Sequence, residues 1–263
     1  MMRTLFVAAA VVGLLALPPS VARGATILFH GKNASATAGA DGAVLAHLQS
    51  LYGASNVTYM RGSAAAGDGS SAAGYDAVII SSTIPSGDCR NKYEDATQGV
   101  MNWEAGLVHD GDTGNFFMSD GLGSASSQTQ IQIVDSLHPL AAGLSGTVTV
   151  TSSAQSFQTA KSTLGGGVDL VASTMGGDHA ILGADVGDAL LGDGSPGKPS
   201  VAAGRRVFFF LHDGSFANLT PDGLKLFDAA VAYAVPEPTS LALSLLTFVG
   251  LLGARGRRRR MAG

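Results

Sequence analysis

The sequence predicts an α/β domain on a doubly wound, mostly parallel sheet, and three observations carry this. Thr26-Ile27-Leu28-Phe29-His30 and Asp76-Ala77-Val78-Ile79-Ile80-Ser81-Ser82 are apolar at consecutive positions, as strands buried on both faces are. The first is followed by Val44, Leu45, Leu48, Leu51 and Tyr52 at helical spacing, and strand followed by helix opens an α/β unit. Near the end, Thr220 and Pro221 precede Leu224, Phe227, Val231 and Ala234 on one stripe, the pattern of a helix with a hydroxyl N-cap and proline at its first position.

In chain order, Gly31 bounds the first strand, Asp41 can cap the first helix and Gly53 can end it. Val57 to Met60 reads as a second strand, Asp76 to Ser82 as a third and Val100-Met101-Asn102-Trp103 as a fourth, with residues 91 to 99 weakly helical. Gly62 to Gly74 and Gly121 to Gln128 are rich in small residues and read as flexible loops. Further strands are expected at Phe116 to Met118, Ile131 to Val134, the alternating stretch Thr147 to Phe157, Val168 to Ser173, Ala180 to Leu182, and Val207 to Leu211.

The two ends have a different character. Arg3, an apolar run from Leu5 to Leu17 and small residues before Ala25 have the layout of a secretory signal peptide, residues 1–24, cut near residue 22 or 24 by signal peptidase. Residues 235–260 hold Pro236-Glu237-Pro238, an apolar stretch from Leu241 to Leu252, then Arg255 and Arg257, Arg258, Arg259 and Arg260. An apolar helix followed by arginines leaves the basic end in the cytoplasm and residues 25–234 outside. Seven of the 16 basic residues and one of the 20 acidic ones fall in these ends, so the body carries a charge near -10. Such a surface repels phosphate backbones and excludes nucleic acid as a partner, while neutral glycans and divalent cations stay open. Cys89 is the only cysteine, so an exported body has no internal disulfide. It stands in a polar loop as a thiol without a role, unless Arg90 and Lys92 lower its pKa.

The tail resembles the PEP-CTERM sorting signal, whose motif falls on Pro236-Glu237-Pro238. That resemblance implies an exosortase as processing partner, transient inner-membrane anchoring, and a destination in the cell envelope or extracellular matrix of a Gram-negative-type bacterium, with exopolysaccharide as an associate. The alternative is an ordinary tail anchor. The body, through its opening strand, the Asp76 to Ser82 strand, the segment Asp135 to Leu144 with His138-Pro139, and the last strand ending in His212 before Thr220-Pro221-Asp222-Gly223, resembles the class I glutamine amidotransferase-like fold, in particular its ThuA-like branch. In that family a strand such as Val100 to Trp103 ends in a turn carrying the nucleophilic cysteine, and a later strand ends in the base histidine. Here Glu104 and His212 fall at those positions. A carboxylate cannot perform thiolate acyl chemistry on glutamine, so the resemblance does not extend to glutaminase activity.

Candidate ligand-binding residues are therefore Trp103 as a stacking wall, Glu104, His212 and Asp213, with Asp88 and Asp110 near the same rim. Trp103 is equally readable as core, and His138-Pro139 as a turn entering a short helix rather than a catalytic element. The other histidines lack ligand spacing, and the stretch His109 to Asn115, with Asp110 and Asp112 as weak calcium candidates, lacks the downstream bidentate glutamate. Gly192 to Lys198 resembles a phosphate loop, but Pro199 stands where a hydroxyl would hold magnesium. No cofactor is expected. Three functions compete: a non-enzymatic envelope or matrix protein binding a glycan, small ligand or partner; a carbohydrate-active hydrolase or isomerase using Glu104 and His212 as acid and base; and a plain spacer.

Overall fold

The computed structural model describes residues 24–236; the signal-peptide segment and the tail from Glu237 onward lie outside the described residues. The chain runs β1 (Ile27–Gly31), α1 (Asp41–Tyr52), β2 (Val57–Arg61), β3 (Ala77–Ile80), β4 (Gly99–Asn102), α2 (Ala105–Val108) and β5 (Ser119–Gln128). It continues through β6 (Gln130–Ile133), β7 (Gly146–Thr149), β8 (Gln155–Leu164), β9 (Asp169–Thr174), β10 (His179–Ala184), β11 (Arg206–Phe209) and α3 (Pro221–Ala234). The strands form one mixed sheet in the order β2-β1-β3-β4-β11-β10-β9-β6-β7, with β8 pairing β10 and β5. The pairs from β2 to β11 are parallel, whereas every pair beyond β11 is antiparallel. The expected mostly parallel sheet is thus corrected: only one half is parallel, because the later strands connect without crossover helices.

Nor is the sheet doubly wound with long helices on both faces: α1 and α3 share one face, and the other carries only the four-residue α2. On one face, Ile27, Phe29, Ile79, Met101 and Phe209 pack with Val44 and Leu48 of α1 and with Leu226, Phe227 and Val231 of α3. On the other, Leu28, Val78, Ile80, Val100 and Phe208 are covered by Ala65, Ala72, Ile84, Cys89 and Tyr93 from connecting loops, by Ala105, Leu107 and Val108 of α2, by Phe116 to Met118, and by Ala160 of β8. The period-2 pleat explains this split, since alternate residues of each strand join opposite layers.

The two long helices, α1 and α3, follow the local rules at the start of α3 and the end of α1. Thr220 Oγ1 accepts from the Gly223 N–H at 3.1 Å, and Pro221 opens α3 where a missing N–H costs nothing. Gly53, at φ +92°, ends α1 with its N–H on the Gln49 carbonyl. Asp41 does not cap α1, however. It is the first helical residue, 1 % exposed, and its carboxylate accepts from Ser81 Oγ at 2.7 Å and Thr83 Oγ1 at 2.8 Å. It therefore clamps α1 to the carboxyl end of β3. Gly31 permits this approach, because a Cβ there would strike the Asp41 carboxylate.

Residues 91–98 form turns and bends instead of a weak helix, Gly99 already belongs to β4, and the reason is Arg206. This side chain is 1 % exposed and donates to the carbonyls of Glu94 at 3.1 Å, Ala96 at 2.6 Å and Gln98 at 3.1 Å. Carbonyls turned toward a guanidinium cannot serve a helical ladder. Gly62 to Gly74 is likewise no loose loop: it makes two 3-10 turns, and Lys92 Nζ holds its Gly62 and Ala65 carbonyls. Gly121 to Gln128 belongs to β5, whose backbone pairs with β8 despite its small side chains. Phe116 to Met118 leads into β5 without being a strand, and the Thr147 to Phe157 alternation is interrupted between β7 and β8.

Cys89 is the sharpest local correction. It is buried at 1 % exposure, and desolvation pushes its thiol up to about 12 despite the nearby Lys92. It is a core residue and not a reactive loop thiol. Iodoacetamide is therefore expected to label the native protein very slowly and the urea-unfolded chain readily; fast labelling without denaturant would contradict this burial.

Candidate functional site

The carboxyl ends of β3, β4 and β11 meet at one edge of the parallel half, since β4 pairs with β3 on one side and β11 on the other. Open α/β sheets place ligands along this edge. Past β3 stand Ser81, Ser82 and Thr83; past β4 stand Trp103 and Glu104; past β11 the chain reaches His212 and Asp213.

Glu104 is half-buried and caps α2, its Oε1 accepting from the Gly106 N–H at 3.1 Å. Burial raises its pKa to about 7, the Gly106 hydrogen bond opposes the rise, and the negative charge of Asp213 adds to it. Near neutral pH this carboxyl is divided between acid and anion, so it can both donate and accept a hydrogen bond. Gly106 leaves room beside it: a Cβ there would collide with Ser86 and with Glu104 Oε1.

His212 and Asp213 are tied to the same rim. Asp213 receives Ser82 Oγ at 3.2 Å, and its N–H donates to Ser82 Oγ at 2.8 Å. The Ser215 hydroxyl bridges the N–H and C=O of His212, fixing the turn. The His212 ring, 40 % exposed, has Nδ1 at 3.9 Å from Asp213 Oδ1, too long for a hydrogen bond. The rim thus gathers a titrating carboxyl, an imidazole, a carboxylate and several hydroxyls.

Of the sequence candidates, Glu104, His212 and Asp213 stand on one edge. Trp103 does not offer a stacking wall: it is 1 % exposed and packs between Phe29 and Phe227. Asp88 lies in the turn beside Ser86, whereas Asp112 is engaged by Arg90 at 3.1 Å and Asp110 sits in a turn that His109 Nδ1 closes on the Gly111 N–H. Among the described residues no cluster of three or more ligating side chains forms. Sequence reasoning missed the hydroxyl contribution of Ser82 and Ser86, although the run Ser81-Ser82-Thr83 after an apolar strand is the signal that points to it. His138 behaves as the turn reading has it, capping a 3-10 turn by accepting from the Leu140 N–H at 3.1 Å.

Comparison of the fold with solved structures finds a ThuA-like protein from Bacteroides uniformis, with a TM-score of 0.55 and 13 % identity, over 88 % of this chain and 98 % of that one. The likeness supports a ThuA-like fold. No family model matches the sequence, and no curated protein does.

The Glu104 shift has a sign that can be measured. Because its folded pKa lies above the ordinary 4.5, the folded state holds an extra proton between 4.5 and about 7, and raising the pH through that window costs stability. Glu104→Gln removes the titration. Its urea midpoint minus that of the wild type should grow as pH rises across the window and level off above it; a constant difference would mean that Glu104 ionises as an exposed carboxyl does.

Proposed function

We propose that this chain is an exported bacterial envelope or matrix protein whose ThuA-like domain binds a neutral glycan at the rim around Glu104. The observation that carries the reading is the Glu104 carboxyl itself. It stands on the turn after β4, where the amidotransferase resemblance places a thiol, and burial leaves it part protonated near pH 7. A sugar hydroxyl both donates and accepts, and a rim of Glu104, Ser82, His212 and Asp213 supplies both roles. The one thiol in the chain, Cys89, is sealed in the opposite layer from Trp103, so no thiol stands at the rim in place of the missing nucleophile. The exported location and exosortase processing rest on the two ends, where an apolar run follows a basic residue at the start and Pro236-Glu237-Pro238, an apolar stretch and five arginines follow in order at the finish.

The second reading is a carbohydrate-active hydrolase or isomerase with Glu104 and His212 as acid and base. It is favoured by the same pKa near 7, which is where a general acid or base is effective. A single substitution separates the two. Against neutral oligosaccharides cut from the native host's exopolysaccharide, Glu104→Ala should weaken binding about tenfold and Glu104→Gln by less than about threefold, since an amide still donates and accepts. Turnover of those oligosaccharides that falls by about a hundredfold or more in Glu104→Gln would establish the enzyme instead.

Intact-mass measurement of envelope and medium fractions tests export. The expected species begins after residue 22 or 24 and ends near Pro236; a membrane-bound species retaining Arg257 to Arg260 would identify a plain tail anchor.

A further inference from the structure

A cleft of about 310 Å³ opens at the other edge of the sheet from Glu104. It forms where β9 begins (Asp169), β10 has just ended (Asp185) and β11 is about to start (Arg205), beside the last turn of α3 (Tyr233). Antiparallel pairing of β10 with β9 and β11 brings these termini together. Its volume is at the lower end of ligand-sized cavities, ~300–1,000 Å³.

The polar groups here are held before any ligand arrives. Tyr233 OH donates to Asp185 Oδ1 at 2.9 Å, and Arg205 Nε donates to the same oxygen at 3.1 Å. Arg205 Nη1 reaches the Tyr233 carbonyl at 3.2 Å, and its guanidinium carbon lies 4.9 Å from the centre of the Tyr233 ring. The cleft histidine, His138, has a side chain only 10 % exposed, with Nε2 3.6 Å from Asp169 Oδ2 and its ring stacked obliquely on Tyr233 at 5.3 Å. Gly183 lets this turn lie against β10, since a Cβ would meet the His138 ring and Leu140.

This arrangement leaves hydrogen-bonding capacity facing outward. Both hydrogen bonds to the Asp185 side chain end on Oδ1, so Oδ2 remains for an incoming donor, and the Asp169 and Asp185 side chains are 58 % and 60 % exposed. Arg205 uses Nε and Nη1 on the protein, and Nη2 remains as a donor. Pro139, Ala229 and Ala232 supply an apolar wall. An anion would face two carboxylates against one guanidinium. A neutral ring with hydroxyls on its edge and C–H groups on its face satisfies acceptors, donor and wall together.

We propose that this cleft is a second binding site, for about one glycosyl unit of a neutral glycan. The proposal rests on the glycan-binding reading of the rim only for its ligand class; the cleft itself is argued from its own groups. Two sites at opposite edges of one sheet would make the domain bivalent and able to bridge polysaccharide chains.

Backbone amide NMR shifts of the body domain, 25–234, in the mature protein, titrated with D-glucose, D-galactose and cellobiose, test it. The expected result is saturable shifts at Gly183, Asp185, Arg205 and Tyr233, with affinity weakened about tenfold in Asp185→Asn. That variant keeps an oxygen to accept from Tyr233 and Arg205. Asp169→Asn, at an exposed position, should weaken binding as well and guards against a folding defect in the first variant. Shifts confined to Gly106 and His212 would overturn this proposal and leave the rim reading standing. Shifts confined to the cleft would support it while removing the rim reading, and none at either edge would sink both. Shifts with glucosamine but not with the neutral sugars would mark a cation site and overturn it too.

Discussion

The frame of this domain depends on one buried guanidinium. Taking a charge out of water is costly unless its donors are satisfied, and Arg206 places Nη1 and Nη2 on the carbonyls of Tyr93, Glu94, Ala96, Gln98 and Arg205, leaving only Nε without a partner. Burial lowers its pKa only to about 10, so it stays charged at neutral pH. The loop between β3 and β4 is thereby fixed as a cover over one face of the sheet. Tyr93 from that loop lies 2.7 Å from His30 Nε2, and Cys89 is sealed beneath it. A helix at this place would have satisfied its own carbonyls and left the guanidinium without partners. The absence of a crossover helix on this face and the burial of Arg206 are the same fact.

The rim inherits its chemistry from this rigidity. β4 starts at Gly99, where a side chain would strike the Ala234 carbonyl, so α3 lies directly on the strand that leads to Glu104. Trp103, caught between Phe29 and Phe227, fixes the residue before it emerges. Glu104 is consequently held half out of water with nothing to neutralise it, and its pKa rises for that reason. A rim that sets a partly protonated carboxyl near hydroxyls presents both donors and acceptors to a ligand.

How much of this could be read beforehand follows from where each signal resides. β1, β3 and β11 are runs of consecutive apolar residues, and α3 carries both cap and stripe, so these were legible from local pattern. The position of Glu104, His212 and Asp213 past the ends of β4 and β11 was legible because the strands themselves were. β5 was not: Ser119 to Gln128 has side chains too small to show a period, and its strand character lies in backbone pairing to β8, distant in sequence. The turns of residues 91–98 depend on Arg206, more than a hundred positions away. Trp103 and Cys89 were ambiguous for a related reason. An aromatic or thiol beside a strand end can face either layer or the rim, and only the packing of α3 and the 62–98 loops decides.

Two groups on this edge, the buried His30 and the half-buried Glu104, titrate in opposing senses, and together they contribute to the domain's response to pH. His30 Nδ1 lies 3.1 Å from the Met60 carbonyl, which can only accept, so the ring is held as the neutral tautomer with its proton there. Burial lowers its pKa from 6.5 to about 4, so the unfolded chain takes up the extra proton in that interval and acid costs stability. Glu104 behaves in the reverse way, the folded state holding the extra proton from 4.5 to about 7. Between 6.5 and 4.5 the two contributions oppose each other. Mild acidification therefore gains from Glu104 part of what it loses through His30, and only below the Glu104 window does the His30 penalty act alone. This compensation limits the change in stability while the rim carboxyl changes its state of protonation.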